Sequence, residues 1–253
     1  MVFGPVEVNS GAGAAKFAGV DWIGVIRHGE SNGNVAREVA ESGGHEVIDI
    51  PERDADVRLS PAGLDQGRAL GRWFAAMPRD RWPDVVVASP YRRAVDTAAL
   101  ALRGHPRMLV DERLRDRELG VLDLLTTHGV AARYPEELIR KRRLGKFYHR
   151  PPGGESWADV ALRLRSLLRD LEGARVLLFA HEITHFLLRY LLEHLPEQDL
   201  LAYAHHSVVP NGALTSWRRD GGLWVLEEEF QADQLREHGA EPTETEDATI
   251  TST

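Results

Sequence analysis

The chain has 253 residues, a formal charge of −8 and no cysteine. Its length and an apolar content of 43% suffice for a sizeable core, and the missing thiols exclude disulfides, thiolate metal sites and cysteine nucleophiles. There is no apolar run of transmembrane length and no charged n-region followed by an apolar h-region, so a soluble, cytoplasmic protein is expected.

Residues 1–20 are rich in glycine and alanine without a period, and are read as a flexible segment ahead of a domain spanning about 21–230. Trp22, Ile23, Val25 and Ile26 mark a buried strand that stops at Arg27-His28-Gly29-Glu30-Ser31, and a helix-compatible segment follows at Val35–Glu41. Open α/β sheets bind ligands at such strand ends. Gly29 permits close backbone approach, and Ser31 can cap a helix whose amides favour an anion. Arg27 offers a positive fork and His28 a nucleophile or base. A charged, Gly- and Pro-punctuated loop runs from Ser42 to Arg58. Ser60-Pro61 then caps and starts a helix reaching about Met77, with Leu64, Leu70, Trp73 and Phe74 as its apolar stripe.

Asp84–Ala88 reads as a second buried strand, ending at Ser89-Pro90 and followed by a helix to about Leu102. Arg107–Val110 is a short strand, and Leu114–Pro152 is irregular. The irregular region holds a cap insertion at about 121–152 with a basic run from Arg133 to Arg150. Such a run usually means a solvated helix face, but here it also suits a cap that draws in an anionic substrate. Gly153-Gly154-Glu155-Ser156 leads into an amphipathic helix to about Leu171, and the buried strand Arg175–Ala180 ends at His181. A helix to about His194 follows, then an antiparallel pair, Ala213–Trp217 and Leu223–Glu229, joined by Asp220-Gly221-Gly222. Residues 231–253 carry most of the negative charge and are read as a disordered acidic tail. The alternation implies an α/β fold with a mostly parallel central sheet flanked by helices on both faces. The charge of the body gives no reason to expect nucleic acid as a partner.

As a lone tripeptide, Arg-His-Gly fits any capped loop. RHGES followed by Asn34, however, resembles the histidine phosphatase superfamily, which includes the cofactor-dependent phosphoglycerate mutases. Ser89–Ala98, SPYRRAVDTA, looks like the family pattern SP-x-x-RA-x-QT-A, with Asp96 in place of glutamine. His181 follows RVLLFA as the family's second histidine follows its apolar strand, with Glu182 where glycine is usual, and PPGGESW resembles the turn before the long helix in phosphatase-like members. The resemblance spans about Ile23 to Trp217. It implies a phosphoglycerate mutase-like fold and metal-independent hydrolysis of a small phosphorylated metabolite through a phosphohistidine, with no cofactor. It also implies His28 as nucleophile and Arg27, Asn34, Arg93 and His181 around the phosphate oxygens, with Arg92 the variable neighbour. A general acid for the leaving alkoxide should lie in Arg113–Gly120, RLRDRELG. The family's glutamate stands four residues before a glycine, which gives Asp116; Glu118 has the commoner residue type. Side chains two apart on an extended loop point the same way, so both stand.

Two other activities fit parts of the sequence. A phosphoglycerate mutase would share the whole set, but past Asn34 the chain reads VARE and lacks the Thr-Gly pair that mutases use on the phosphoglycerate carboxylate. His181-Glu182-Ile183-Thr184-His185 matches the H-E-x-x-H zinc motif, which needs both histidines on one helical face. The longer metzincin pattern would need glycine and histidine where Leu188 and Leu191 stand. A non-catalytic binding module is disfavoured because nucleophile, clamp and acid candidates are all present. The substrate's identity and the oligomeric state are not legible from the residues.

Overall fold

The computed structural model describes residues 19–105 and 108–244, so the N-terminal segment to residue 18 lies outside the described residues. In chain order the elements are β1 (Trp22–Arg27), α1 (Asn32–Ser42), α2 (Pro61–Ala76), β2 (Val85–Ala88), α3 (Arg92–Ala101), β3 (Met108–Val110), α4 (Thr127–Arg133), α5 (Pro135–Leu144), α6 (Trp157–Asp170), β4 (Arg175–Ala180), α7 (Glu182–Leu192), α8 (Glu197–His205), β5 (Leu214–Asp220), β6 (Leu223–Gln231) and α9 (Asp233–Glu237). The six strands form one sheet in the order β3-β2-β4-β1-β5-β6. The β3–β2, β2–β4 and β4–β1 pairings are parallel, while β5 and β6 add an antiparallel edge.

The near-continuous apolar runs of β1, β2 and β4 follow from burial on both faces. Along β1 and β4, Ile23, Val25, Val176 and Leu178 join a core with Val160 and Leu164 of α6 and Leu187 of α7. Ile26, Leu177 and Phe179 point the other way, onto Leu70 and Phe74 of α2 and Ala98 of α3. Helices therefore cover both faces, and each fully buried Leu, Ile or Phe side chain contributes roughly 1.5–3 kcal/mol.

Serine caps set where three helices begin. Ser31 and Ser156 each form a reciprocal capping box, and Ser60 accepts from the Gly63 amide with Pro61 in the first turn of α2. Each cap contributes about 1 kcal/mol. The box at Ser31 starts α1 three residues before the expected Val35, because the Asn34 side chain completes it. Gly29 and Gly63 let the loop after β1 touch the start of α2. A Cβ on Gly63 would lie 2.0 Å from the Glu30 carbonyl oxygen, a separation no real Cβ contact reaches.

Three stretches differ from the sequence expectation. The cap region contains two helices, α4 and α5, separated at Tyr134 before Pro135. α8 carries too weak an apolar stripe to announce itself; among its residues only Leu200 is fully buried. The tail after Phe230 is not disordered as a whole: residues 231–244 are ordered, with α9 packed on α2. Leu235 has no solvent exposure and joins the α2–α3 core, and Gln66 of α2 donates to the Glu241 carbonyl at 2.9 Å. One buried leucine and these backbone contacts outweigh the polar composition around them. Residues 245–253 lie outside the described residues.

Leu235→Ala tests this packing directly. Deleting a fully buried leucine side chain costs about 2–5 kcal/mol, so the chemical-denaturation midpoint should drop markedly. A disordered tail would leave it unchanged.

Candidate active site

β1, β4 and β2 lie side by side and parallel, so their carboxyl ends open on one crevice. β1 ends at Arg27 and delivers His28, β4 delivers His181, and β2 delivers Ser89. The His28 and His181 rings sit 5.2 Å apart, edge to face, and both are fully buried. Arg93, in the first turn of α3, completes the group: its Nε lies 3.2 Å from His28 Nε2.

The hydrogen bonds of His28 assign its tautomer. Its Nδ1 is 2.7 Å from the Gly29 carbonyl oxygen, which can only accept, so Nδ1 carries the proton. Nε2 then holds the lone pair and accepts from the Arg93 Nε–H. Three further contacts hold this loop. The Gly29 amide donates to Thr97 Oγ1 at 3.0 Å, and Thr97 Oγ1 donates to the Arg93 carbonyl at 2.6 Å, locking the His28 loop to the helix that carries Arg93. Asn211 Nδ2 donates to the His28 carbonyl at 3.0 Å. Asn211 is itself held by the extended stretch after α9, through its amide to the Thr243 carbonyl at 2.9 Å.

Arg93 is an ion-pair hub. Nη1 donates to both the carbonyl and Oδ1 of Asp54 at 2.8 Å, and Nη2 donates to Asp116 Oδ2 at 3.1 Å. The same Asp116 oxygen is 3.4 Å from His181 Nδ1, while His181 Nε2 is 2.9 Å from Ser89 Oγ. Asp116 thus touches both the arginine and the second histidine. Glu118 does not: it is exposed and accepts from the Tyr91 hydroxyl at 3.0 Å. The Tyr91 ring packs edge-on against His181 at 5.2 Å, with the Arg93 guanidinium 4.9 Å from its centroid. Burial, together with the charges of Asp116 and Glu118, pushes the Tyr91 phenol well above its ordinary value, which keeps it a donor.

A cavity of about 280 Å³ opens onto this cluster, and Arg93, Asp116, Asp54 and Asn34 are among the residues lining it. Burial and the Asp54 charge raise the pKa of Asp123, another lining carboxyl. Asn34 uses its amide oxygen in the capping box, accepting from the Ser31 amide at 3.0 Å, so an anion could be met only by its amide nitrogen. Arg27 is fully buried and donates to the Val209 carbonyl at 2.5 Å. Glu182, where glycine was expected, is a buried cavity-lining residue at the start of α7.

The zinc-motif reading of HEITH does not survive the backbone. His181 is the N-cap of α7 in an extended conformation (φ −121°, ψ 166°), outside the helical turn the motif requires. His185 is fully buried, with Nδ1 2.8 Å from Thr215 Oγ1 and its ring against Phe230, partners that His181 does not share.

Sequence reasoning assigned no role to Asp54, Ser89 or Asn211. Ser89 stood in a quoted motif, and Asn211-Gly212 is a turn dipeptide ahead of a strand. Asp54 lies in an aperiodic loop and carried no signal.

The model of the histidine phosphatase superfamily (branch 1) matches residues 23–231. A 2,3-bisphosphoglycerate-dependent phosphoglycerate mutase from Gloeobacter violaceus is 35% identical over 154 residues, covering 56% of this chain and 68% of that protein. A glucosyl-3-phosphoglycerate phosphatase from Mycobacterium tuberculosis is 32% identical over 148 residues, 58% of each chain. The solved structure of a mycobacterial glucosyl-3-phosphoglycerate phosphatase, 27% identical, superposes with a TM-score of 0.64 over 83% of this chain and 99% of that one. The matches span between 27% and 72% of the length of such curated relatives.

The tautomer is measurable. In ¹⁵N–¹H correlation spectra of the imidazoles, His28 should show a protonated Nδ1 and an unprotonated Nε2. The reverse assignment would contradict the Gly29 hydrogen bond.

Proposed function

The chain belongs to the histidine phosphatase superfamily, and from that membership we propose that it hydrolyses a small phosphomonoester through a phosphohistidine on His28. The observation that carries this reading is the orientation of His28: the Gly29 carbonyl accepts the Nδ1–H, so the Nε2 lone pair faces Arg93, which lines the cavity. A histidine held this way is a nucleophile without needing a base to deprotonate it.

In the first step Nε2 attacks phosphorus, the P–O ester bond breaks, and a protonated Asp116 gives its proton to the leaving alkoxide. In the second, water attacks the phosphohistidine while the Asp116 carboxylate takes its proton; the P–N bond breaks and the lone pair returns to Nε2. Arg93, Arg27, His181 and the Asn34 amide surround the phosphoryl oxygens, and Ser89 holds the His181 ring. Positioning and fixed positive charge supply most of the catalysis in phosphoryl transfer. Asp116 is favoured over Glu118 as the acid because it lines the cavity and touches both Arg93 and His181. Glu118 reaches the cluster only through Tyr91. A cytoplasmic setting completes the reading, supported by the cysteine-free composition.

Similarity to a phosphoglycerate mutase keeps mutase chemistry as the second reading. The chemistry up to the phosphohistidine is common to both; only the acceptor of the phosphoryl group differs.

A phosphate-release screen over sugar phosphates, phosphoglycerates, nucleotides and phosphoserine, run beside a mutase assay with 2,3-bisphosphoglycerate, decides between them. Net phosphate release is expected, insensitive to chelator and abolished in folded His28→Ala. Interconversion of phosphoglycerates without release would establish the mutase instead. Asp116→Asn should slow alkyl esters by about 10²–10⁴-fold while largely sparing aryl esters, whose leaving groups need less protonation. Glu118→Gln should do much less; the opposite ranking would move the acid to Glu118.

A further inference from the structure

The turn Pro151–Ser156 packs backbone against backbone on the segment that carries Asp116. The Glu155 amide donates to the Glu118 carbonyl at 2.8 Å, and the Val121 amide donates to the Pro152 carbonyl at 3.0 Å. Gly120 makes this approach possible: it has φ +56°, and a Cβ there would lie 2.1 Å from the Pro152 carbonyl oxygen.

The Glu155 side chain, 13% exposed, gathers the rest of the segment. Its Oε1 accepts from Arg115 Nη2 at 2.6 Å and from Arg163 Nε at 3.0 Å. Its Oε2 accepts from Arg163 Nη2 at 3.1 Å and from the Glu118 amide at 3.2 Å. The Glu155 carbonyl accepts from Arg117 Nε at 2.7 Å. Arg163 in turn donates to the carbonyls of Arg113 at 2.6 Å and Asp116 at 3.0 Å. Arg115, Arg117 and Glu118 are thus bonded to Glu155 itself, and Asp116 to its partner Arg163.

Residues 115–119 form neither helix nor strand, so no regular ladder of their own fixes where Asp116 points. Glu155 and Arg163 supply that hold from a rigid base. Ser156 caps α6 in a reciprocal box, and Val160 and Leu164 of α6 join the same core as β1 and β4. Contacts therefore run from the sheet through α6 and Glu155 to Asp116. At its far end, Asp116 Oδ2 meets Arg93 at 3.1 Å and lies 3.4 Å from His181 Nδ1. A carboxylate suits this task because its two oxygens accept several donors at once, and charge-assisted bonds are the strong ones.

We propose that Glu155 is a positioning residue for the general acid: it acts through Asp116, by fixing the 115–118 segment so that the carboxyl stands at the leaving oxygen. This rests on the phosphomonoesterase reading above and adds the element that makes Asp116 effective. Proton transfer needs heavy atoms within about 2.6–3.2 Å of each other, and a misplacement of about 1 Å costs roughly 100-fold. Loss of Glu155 should therefore imitate loss of the acid rather than loss of phosphate binding.

Glu155→Gln keeps the side chain's length but sets an amide NH2 against the donors at one end of the group. For an alkyl and an aryl phosphomonoester, kcat and KM are measured in the wild type, Glu155→Gln, Asp116→Asn and the double variant. Glu155→Gln should lower kcat on the alkyl ester by about 10–100-fold, leave its KM near the wild-type value and largely spare the aryl ester. The alkyl-to-aryl ratio does not depend on the folded fraction, so a poorly folding variant still reports. The double variant should be no slower on the alkyl ester than Asp116→Asn alone. Arg163→Lys keeps the positive charge but loses the fork that reaches the Arg113 and Asp116 carbonyls, and should show the same split between esters. Amide hydrogen exchange should rise across residues 115–118 in Glu155→Gln while α6 keeps its protection. Equal slowing of both esters, a loss in the double variant that adds to that of Asp116→Asn, or unchanged exchange across 115–118 would overturn the positioning role. Equal slowing would leave the phosphatase reading standing. A wild type that hydrolyses neither ester would sink the phosphatase reading, and the exchange result would then decide by itself whether Glu155 holds the segment.

Discussion

The hydrogen bond from His28 Nδ1 to the Gly29 carbonyl is the constraint on which the site depends, because it decides which nitrogen keeps the lone pair that meets Arg93. It joins adjacent residues, so it is available only if the chain turns sharply straight after β1. That turn needs Gly29 and Gly63 at close approach, the Thr97 hydroxyl under the Gly29 amide, and Asn211 on the His28 carbonyl. Those partners come from α2, α3 and the loop before β5. The parallel centre of the sheet brings them to one place, and the ordered stretch to Glu244 braces Asn211 from behind. The fold thus supplies orientation to a residue whose intrinsic chemistry is already adequate.

Arg93 adds a second consideration. Its N–H groups reach His28 Nε2, the Asp54 carbonyl, and the carboxylates of Asp54 and Asp116. Any further anion that meets this arginine must therefore exchange with carboxylates already on it. Charge-assisted hydrogen bonds contribute about 1.5–3 kcal/mol each, so net affinity is a small difference between two strong sets. Such an arrangement keeps a buried guanidinium compensated in the resting protein.

Much of this was legible because strand ends announce themselves. Ile26-Arg27-His28, Ala88-Ser89 and Ala180-His181 each switch from apolar to polar at a strand end, and the helix starts at Ser60 and Ser156 carried their caps openly. What could not be read depends on partners far apart in sequence. Asp54 meets Arg93 across 39 residues and Asn211 meets His28 across 183, with no periodic pattern to link them. Asp116 and Glu118 share an orientation rule, so only the positions of Tyr91 and His181 separate them. The basic run divides in a way that composition does not show: Arg133, Arg140 and Arg150 pair with carboxylates, Arg142 and Arg143 are exposed, and Lys141 and Lys146 line the cavity. At the C-terminus, one leucine under a polar stretch was enough to overturn a composition-based reading.

The central claim is that His28 Nε2 becomes phosphorylated during turnover. Rapid quenching of the enzyme with a labelled phosphomonoester, followed by peptide mapping under alkaline conditions that preserve phosphohistidine, tests it most directly. The account predicts an acid-labile label on the peptide containing His28, on Nε2, appearing and decaying within a single turnover. Turnover with no label there, or with the label on another residue, would contradict it.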